Sequence, residues 1–189
     1  MSAASEVALF GRVRTPSFAS LRDVLARLAR AGFQPALGGS ALLAHLSLLE
    51  GGAVHDWDLT VDAPAREVWG AVRELEPRYA GSGGRHADEK LMLPSHALEI
   101  ICGFAFHTPA GIVRIPARIG AVAGDVPFAS PEAWLVAYTL LERESQAAAL
   151  RGWLERAGAD PDAIARLCAQ PLAPKLATEL RALPLRGAR

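Results

Sequence analysis

Between Phe18 and Ala31 the apolar side chains fall at Leu21, Val24, Leu25, Leu28 and Ala31. That three-and-four spacing predicts one face of a helix, and Gly32 supplies its stop. Gln34 to Leu37 then reads as a short strand running into Gly38-Gly39. Leu42, Leu43, Leu46 and Leu49 predict a second helix, broken at Glu50-Gly51-Gly52. Asp56 to Val61 alternates like a strand, and Pro64 opens a helix continued by Val68, Trp69, Val72 and Leu75. Gly81 to Arg85 is a glycine-rich loop whose spacing does not match a phosphate-binding loop leading into a helix. Leu91–Leu93, the turn Pro94-Ser95-His96 and Ala97–Cys102 predict a hairpin, and Gly111–Ile115 a further strand. Ser130-Pro131-Glu132 combines a capping serine, a proline at the first helical position and an acid in the first turn. Trp134, Leu135, Tyr138 and Leu141 give that helix its apolar face, and Gly152, Gly158 and Pro161 punctuate a helical tail to about Leu183. Residues 1–16 carry no sustained period and are expected to be half-ordered, with Pro16 marking the entry to the fold. No internal repeat is visible.

Composition narrows the picture. The chain has 189 residues, 51% of them hydrophobic, enough for one packed domain with a helical appendage. Formal net charge is zero, which argues against a broad polyanion-binding surface and leaves room for a local basic patch. Arginine supplies nearly all the positive charge; Lys90 and Lys175 are the two lysines, a bias read here as codon usage. Cys102 and Cys168 lie far apart in apolar surroundings, as expected of reduced thiols in a cytoplasmic protein. No signal-peptide pattern and no apolar run long enough to span a bilayer is present.

The chemistry concentrates between Leu37 and Val61, in LGGSALLAHLSLLEGGAVHDWDLTV. Residues two apart on a strand share a side, so Asp56 and Asp58 present two carboxylates to one face while Trp57 and Leu59 turn to the other. Such a pair repels unless a cation sits between, and a hard divalent ion such as Mg²⁺ suits oxygen ligands. The competing reading is two solvated acids on a surface strand. Gly38 and Gly39 allow close backbone approach to a ligand, and Ser40 is expected to cap the following helix, whose free N–H groups favour phosphate. A phosphate cradle followed by a carboxylate pair is the skeleton of a phosphoryl- or nucleotidyl-transfer site. Glu99, in LEII, alternates away from Leu98 and Ile100 and needs a partner of its own, either the site or an arginine such as Arg114. His45, among leucines, reads as a packed helix histidine, and His55 as a strand-flanking residue.

Gly39-Ser40, a short helix and then Asp-x-Asp on the next strand resemble the nucleotidyltransferase superfamily. The phrases LARAGF, QPALGG, SALLAHL, HDWDLTV and VPFASPEAWLVAYTLL are similar to the nucleotidyltransferase-like toxins of abortive-infection and toxin–antitoxin systems, over roughly residues 17 to 155. The resemblance implies an α/β (α+β) fold: a small mixed sheet flanked by helices over residues 1–128, then a helical C-terminal segment over 129–189. It implies that Asp56, Asp58 and Glu99 hold Mg²⁺ or Mn²⁺ and carry catalysis, with Glu99 standing where relatives more often have Asp. Gly38, Gly39 and Ser40 would bind the NTP phosphates. Pyrophosphate would leave as the NMP passes to an acceptor hydroxyl on RNA, protein or a small molecule, and an antitoxin protein is an implied partner. Two departures stand out. Tyr138 occupies the place of a common lysine, where it would bind nucleotide by stacking on a base or hydrogen-bonding a phosphate or ribose, and no Lys-Asp cluster follows it, so Arg143, expected on the same helix, is the substitute nucleotide-binding cation. The alternatives are a lapsed, nucleotidyltransferase-like binding module and a small-molecule (antibiotic-type) nucleotidyltransferase.

Overall fold

The computed structural model describes residues 3–49 and 52–187. In chain order its elements are α1 (Ala3–Phe10), α2 (Phe18–Arg30), β1 (Ala36–Leu37), α3 (Gly39–His45), β2 (Trp57–Val61) and α4 (Ala65–Val72). There follow β3 (Arg78–Ala80), β4 (Glu89–Leu93), β5 (Leu98–Cys102), β6 (Ala105–Thr108), β7 (Gly111–Arg114), β8 (Ile119–Ala123) and β9 (Val126–Ala129). The chain closes with α5 (Pro131–Leu140), α6 (Glu144–Ala157), α7 (Pro161–Cys168) and α8 (Pro174–Arg181).

Seven strands form one mixed sheet in the order β3-β4-β5-β2-β1-β9-β8, and β6 pairs with β7 apart from it. β2 runs parallel to β5 and antiparallel to β1, and β1 runs parallel to β9. The alternation read in the sequence sorts the two faces. Trp57, Leu59, Leu91, Leu93, Leu98 and Ile100 share one fully buried side, against which α4 packs with α2 behind it. Burying side chains of this size contributes about 1.5–3 kcal/mol each. The other side carries Asp58, Glu99, Met92 and Lys90. This is the α/β architecture expected, with helices α5 to α8 following the sheet.

Several expectations are corrected. Within residues 3–16 the chain is not a loose lead-in: α1 buries Leu9 and Phe10, and the Phe10 ring lies 5.4 Å from Trp57 and 5.9 Å from Phe128. The segment AASEVALF is too short and too uniformly apolar to show a stripe. The second helix stops at His45, well short of Leu49, because Ser47 turns left-handed (φ +58°). Of its expected break, Glu50 and Gly51 lie outside the described residues. Gly152 does not punctuate the tail but sits inside α6. Ser130 does cap α5, accepting from the Ala133 N–H. Among the described residues no helix is long and apolar enough to cross a membrane.

Candidate active site

The site is built on the β2–β5 pairing. Asp58 stands directly opposite Glu99 across the parallel ladder, so the two carboxylates share the open face on strands about 4.8 Å apart. Trp57, fully buried, anchors the strand from the other side. Asp56 falls just outside β2, at a bend, and is half-buried. The strand thus starts one residue later than its alternation suggested.

The Gly-Gly turn closes over the start of β2. The Gly38 N–H donates to the Asp58 carbonyl at 2.9 Å. Gly39 adopts φ +57°, and a β-carbon there would lie 1.8 Å from Asp58 Oδ2. A β-carbon on Gly38 would lie 2.0 Å from the Trp134 indole of α5. Both glycines are therefore required by close approach: one admits the Asp58 carboxylate, the other the aromatic lid. Ser40 is not the helix cap. α3 begins at Gly39 with Gly38 in the cap position, which leaves Ser40 in the first turn, half-buried.

Electrostatics mark Asp58 out. Its carboxyl is pushed up to about 7, first by burial, then by the charges of Asp56 and Glu99, with Lys90 and Arg143 easing it. The residue keeps some exposed surface, yet its carboxyl lies deep enough for desolvation to outweigh the crowding that the sequence suggested. Two mutually repelling acids, one buried and cradled by a glycine, fit a hard divalent cation. Glu99 is committed elsewhere: its Oε2 accepts from Lys90 Nζ at 3.0 Å, both side chains being mostly buried. The partner is Lys90, not Arg114, which is exposed on β7. Among the described residues, no three His, Cys, Asp or Glu side chains converge as a ready-made metal cluster.

Tyr138 is buried, and its phenol is pushed up by that burial and by the charge of Asp58. The Arg143 guanidinium lies 5.9 Å from the Tyr138 ring centroid. It does not share the helix of Tyr138, however. α5 ends at Leu140, Glu142 turns left-handed (φ +59°), and Arg143 takes the cap position of α6.

Sequence reasoning missed Lys90 and Asp88. The signal was present: Asp88, Lys90 and Met92 alternate into the strand expected at Leu91–Leu93, and Lys90 is one of two lysines in an arginine-rich chain. Asp88 is 5% exposed, and both its carboxylate oxygens lack a hydrogen-bond partner. Burial pushes the carboxyl up, and the N–H groups of Asp88 itself and of Ala105 ease it. His45 is indeed structural, stacked on Phe128 at 3.8 Å with Nδ1 3.1 Å from the Leu9 carbonyl. A cavity of about 790 Å³ opens at the opposite end of β2, lined by Asp62, Pro64, Cys102, Arg114 and Arg166. It shares no residue with this carboxylate face.

No family model matches the sequence, and no curated protein matches it. Solved structures do. The solution structure of the antibiotic-resistance factor ANT(2'')-Ia superposes on 79% of this chain and 87% of its own, with a TM-score of 0.51 at 16% identity. The crystal structure of ANT(2'')-Ia in complex with adenylyl-2''-tobramycin covers 86% of this chain and 95% of its own, with a TM-score of 0.51 at 15% identity. The chain shares its fold with ANT(2'')-Ia.

Proposed function

We propose that this protein is a metal-dependent nucleotidyltransferase that moves a nucleoside monophosphate from an NTP to an acceptor hydroxyl. The observation that carries this reading is the Gly39 turn closed onto the Asp58 carboxylate, with Asp56 beside it. Asp56 and Asp58 would hold Mg²⁺ or Mn²⁺, which when bound offsets phosphate charge and favours the ionised acceptor. The Gly38-Gly39-Ser40 turn receives the triphosphate, and Arg143 adds positive charge at the rim. Tyr138, buried beside Asp58, walls the site rather than stacking on a base. The acceptor oxygen forms a bond to the α-phosphorus as the bond to the β-phosphate oxygen breaks, and pyrophosphate departs with both electrons. Glu99, once free of Lys90, would join the two aspartates at the metal and take the acceptor proton. In this reading residues 1–128 supply the carboxylates and residues 129–189 supply Tyr138 and Arg143, and the enzyme works in the cytoplasm.

A small hydroxylated acceptor is the first to test, since ANT(2'')-Ia of the same fold is seen with adenylyl-2''-tobramycin. RNA or protein as acceptor, with an antitoxin as partner, is the toxin reading. The Lys90–Glu99 ion pair and the absence of lysine at Tyr138 favour a second reading, a module whose catalysis has lapsed. The test is incubation with each α-labelled NTP, Mg²⁺ and, separately, an aminoglycoside panel, total RNA and lysate protein. Label on any one acceptor class names the substrate. No label anywhere, with NTP still bound, selects the lapsed module.

A further inference from the structure

Asp88 is the one buried side chain among the described residues recorded with carboxylate oxygens that nothing satisfies. A buried, unpaired carboxylate is costly, and native folds retain one where another state supplies its partner. A cation that eases Asp88 sits two residues on. Lys90 lies in β4, and Asp88 stands just before that strand begins; residues i and i+2 of extended chain are about 6.6 Å apart. Its four-carbon stem is flexible and its ammonium donates in three directions. His86, which also eases Asp88, is already engaged, with Nδ1 2.6 Å from the Ser82 carbonyl and its ring edge-on to Phe106.

We infer that Lys90 is a movable counter-charge with two seats: Glu99 in the metal-free protein, and Asp88 when Glu99 turns to a divalent cation beside Asp58. This rests on the metal reading above and adds what that reading lacks, a way to release Glu99. In the metal-free state the ammonium stands in for the cation and holds the third carboxylate quiet. A divalent ion at the aspartate pair attracts Glu99 and repels the ammonium, and the empty acceptor at Asp88 receives it. Asp88 is then a positioning residue acting through Lys90, and it touches neither metal nor substrate.

The test is a double-mutant cycle read by Mn²⁺ binding, using electron paramagnetic resonance on the full chain. Lys90→Met should tighten Mn²⁺ by roughly tenfold, since Glu99 no longer has a competitor. Asp88→Asn should weaken Mn²⁺ roughly fivefold while Lys90 is present, and by less than about twofold in the Lys90→Met background. An equal effect of Asp88→Asn in both backgrounds would mean only that a negative charge was lost, and it would overturn the inference. So would no effect in either. A second readout is free of affinity: with two lysines, a labelled-lysine NMR spectrum contains two side-chain signals, and Mg²⁺ should shift that of Lys90 in the parent but not in Asp88→Asn. A parent that binds no Mn²⁺, or binds it equally after Asp58→Asn, overturns the metal reading itself and the inference with it.

Discussion

Gly39 and Asp58 are in such close approach that no side chain fits between them: a β-carbon on Gly39 would stand 1.8 Å from Asp58 Oδ2. The backbone there is also left-handed, at φ +57°, where a residue with a β-carbon is strained by about 1 kcal/mol or more. Gly39→Ala should therefore displace the Asp58 carboxylate before it disturbs the rest of the fold. The expected result is loss of Mn²⁺ and NTP binding by calorimetry, with helix content by circular dichroism unchanged. Unaltered NTP affinity in the folded variant would remove the cradle.

Asp58 sets the pH dependence of stability. Its carboxyl has an ordinary value of 3.8 and is raised to about 7 in the fold. Between those values the native state holds a proton that the unfolded chain has released, so stability falls as pH rises. The contribution is fully present below about pH 4 and lost as pH passes through 7, on the order of 4 kcal/mol in all. Urea denaturation of the metal-free parent should show this decline between about pH 4 and 7, and little further change above. Asp58→Asn should be flatter and, at pH 8, more stable than the parent. Parallel pH profiles for the two proteins would contradict the assignment. Mg²⁺ should restore the parent at pH 8 by binding the folded state.

Glu132 ties the helical segment together. It is buried, accepts from the Ser130 hydroxyl and accepts from the Asp160 N–H at 2.8 Å, joining the start of α5 to the cap of α7. Glu132→Ala leaves both donors unsatisfied and should cost about 3 kcal/mol. Glu132→Gln keeps an acceptor and should cost less. Equilibrium unfolding of the two variants checks the order.

Arg143 and Tyr138 should separate charge from packing. Arg143 is exposed and caps α6 without a side-chain bond, so Arg143→Gln should leave stability nearly unchanged while weakening NTP binding by roughly tenfold. Tyr138→Phe removes a hydroxyl from a buried ring, and its effect on activity should be about threefold or less. Equal NTP affinity for Arg143→Gln and the parent would take Arg143 out of the site.

The local parts of the site are legible in the sequence. The Gly38-Gly39 helix start and Asp58 on a strand, with Asp56 just before it, each depend on neighbours within a few residues, and the strand period alone sets which way Asp58 faces. The parts that need register are not. That Glu99 pairs with Lys90 rather than Arg114 follows from the hairpin turning through Pro94–His96, which places Lys90 diagonally across from Glu99. The Trp134 contact with Gly38 depends on how α5 docks, a tertiary fact no spacing encodes. α1 escaped because eight largely apolar residues show no polar face, and β9 because four residues, one of them a proline, show no period until β1 supplies a parallel neighbour.

The most direct measurement is transfer of label from an α-labelled NTP, in Mg²⁺, by the parent and by Asp58→Asn under identical conditions. Metal ions supply several kcal/mol of transition-state stabilisation, so losing the Asp58 carboxylate should cut transfer by at least on the order of a hundredfold. The γ-labelled NTP should release its label as pyrophosphate and leave none on the acceptor. Equal transfer by the two proteins, or label arriving from the γ-position, would contradict nucleotidyl transfer at this carboxylate.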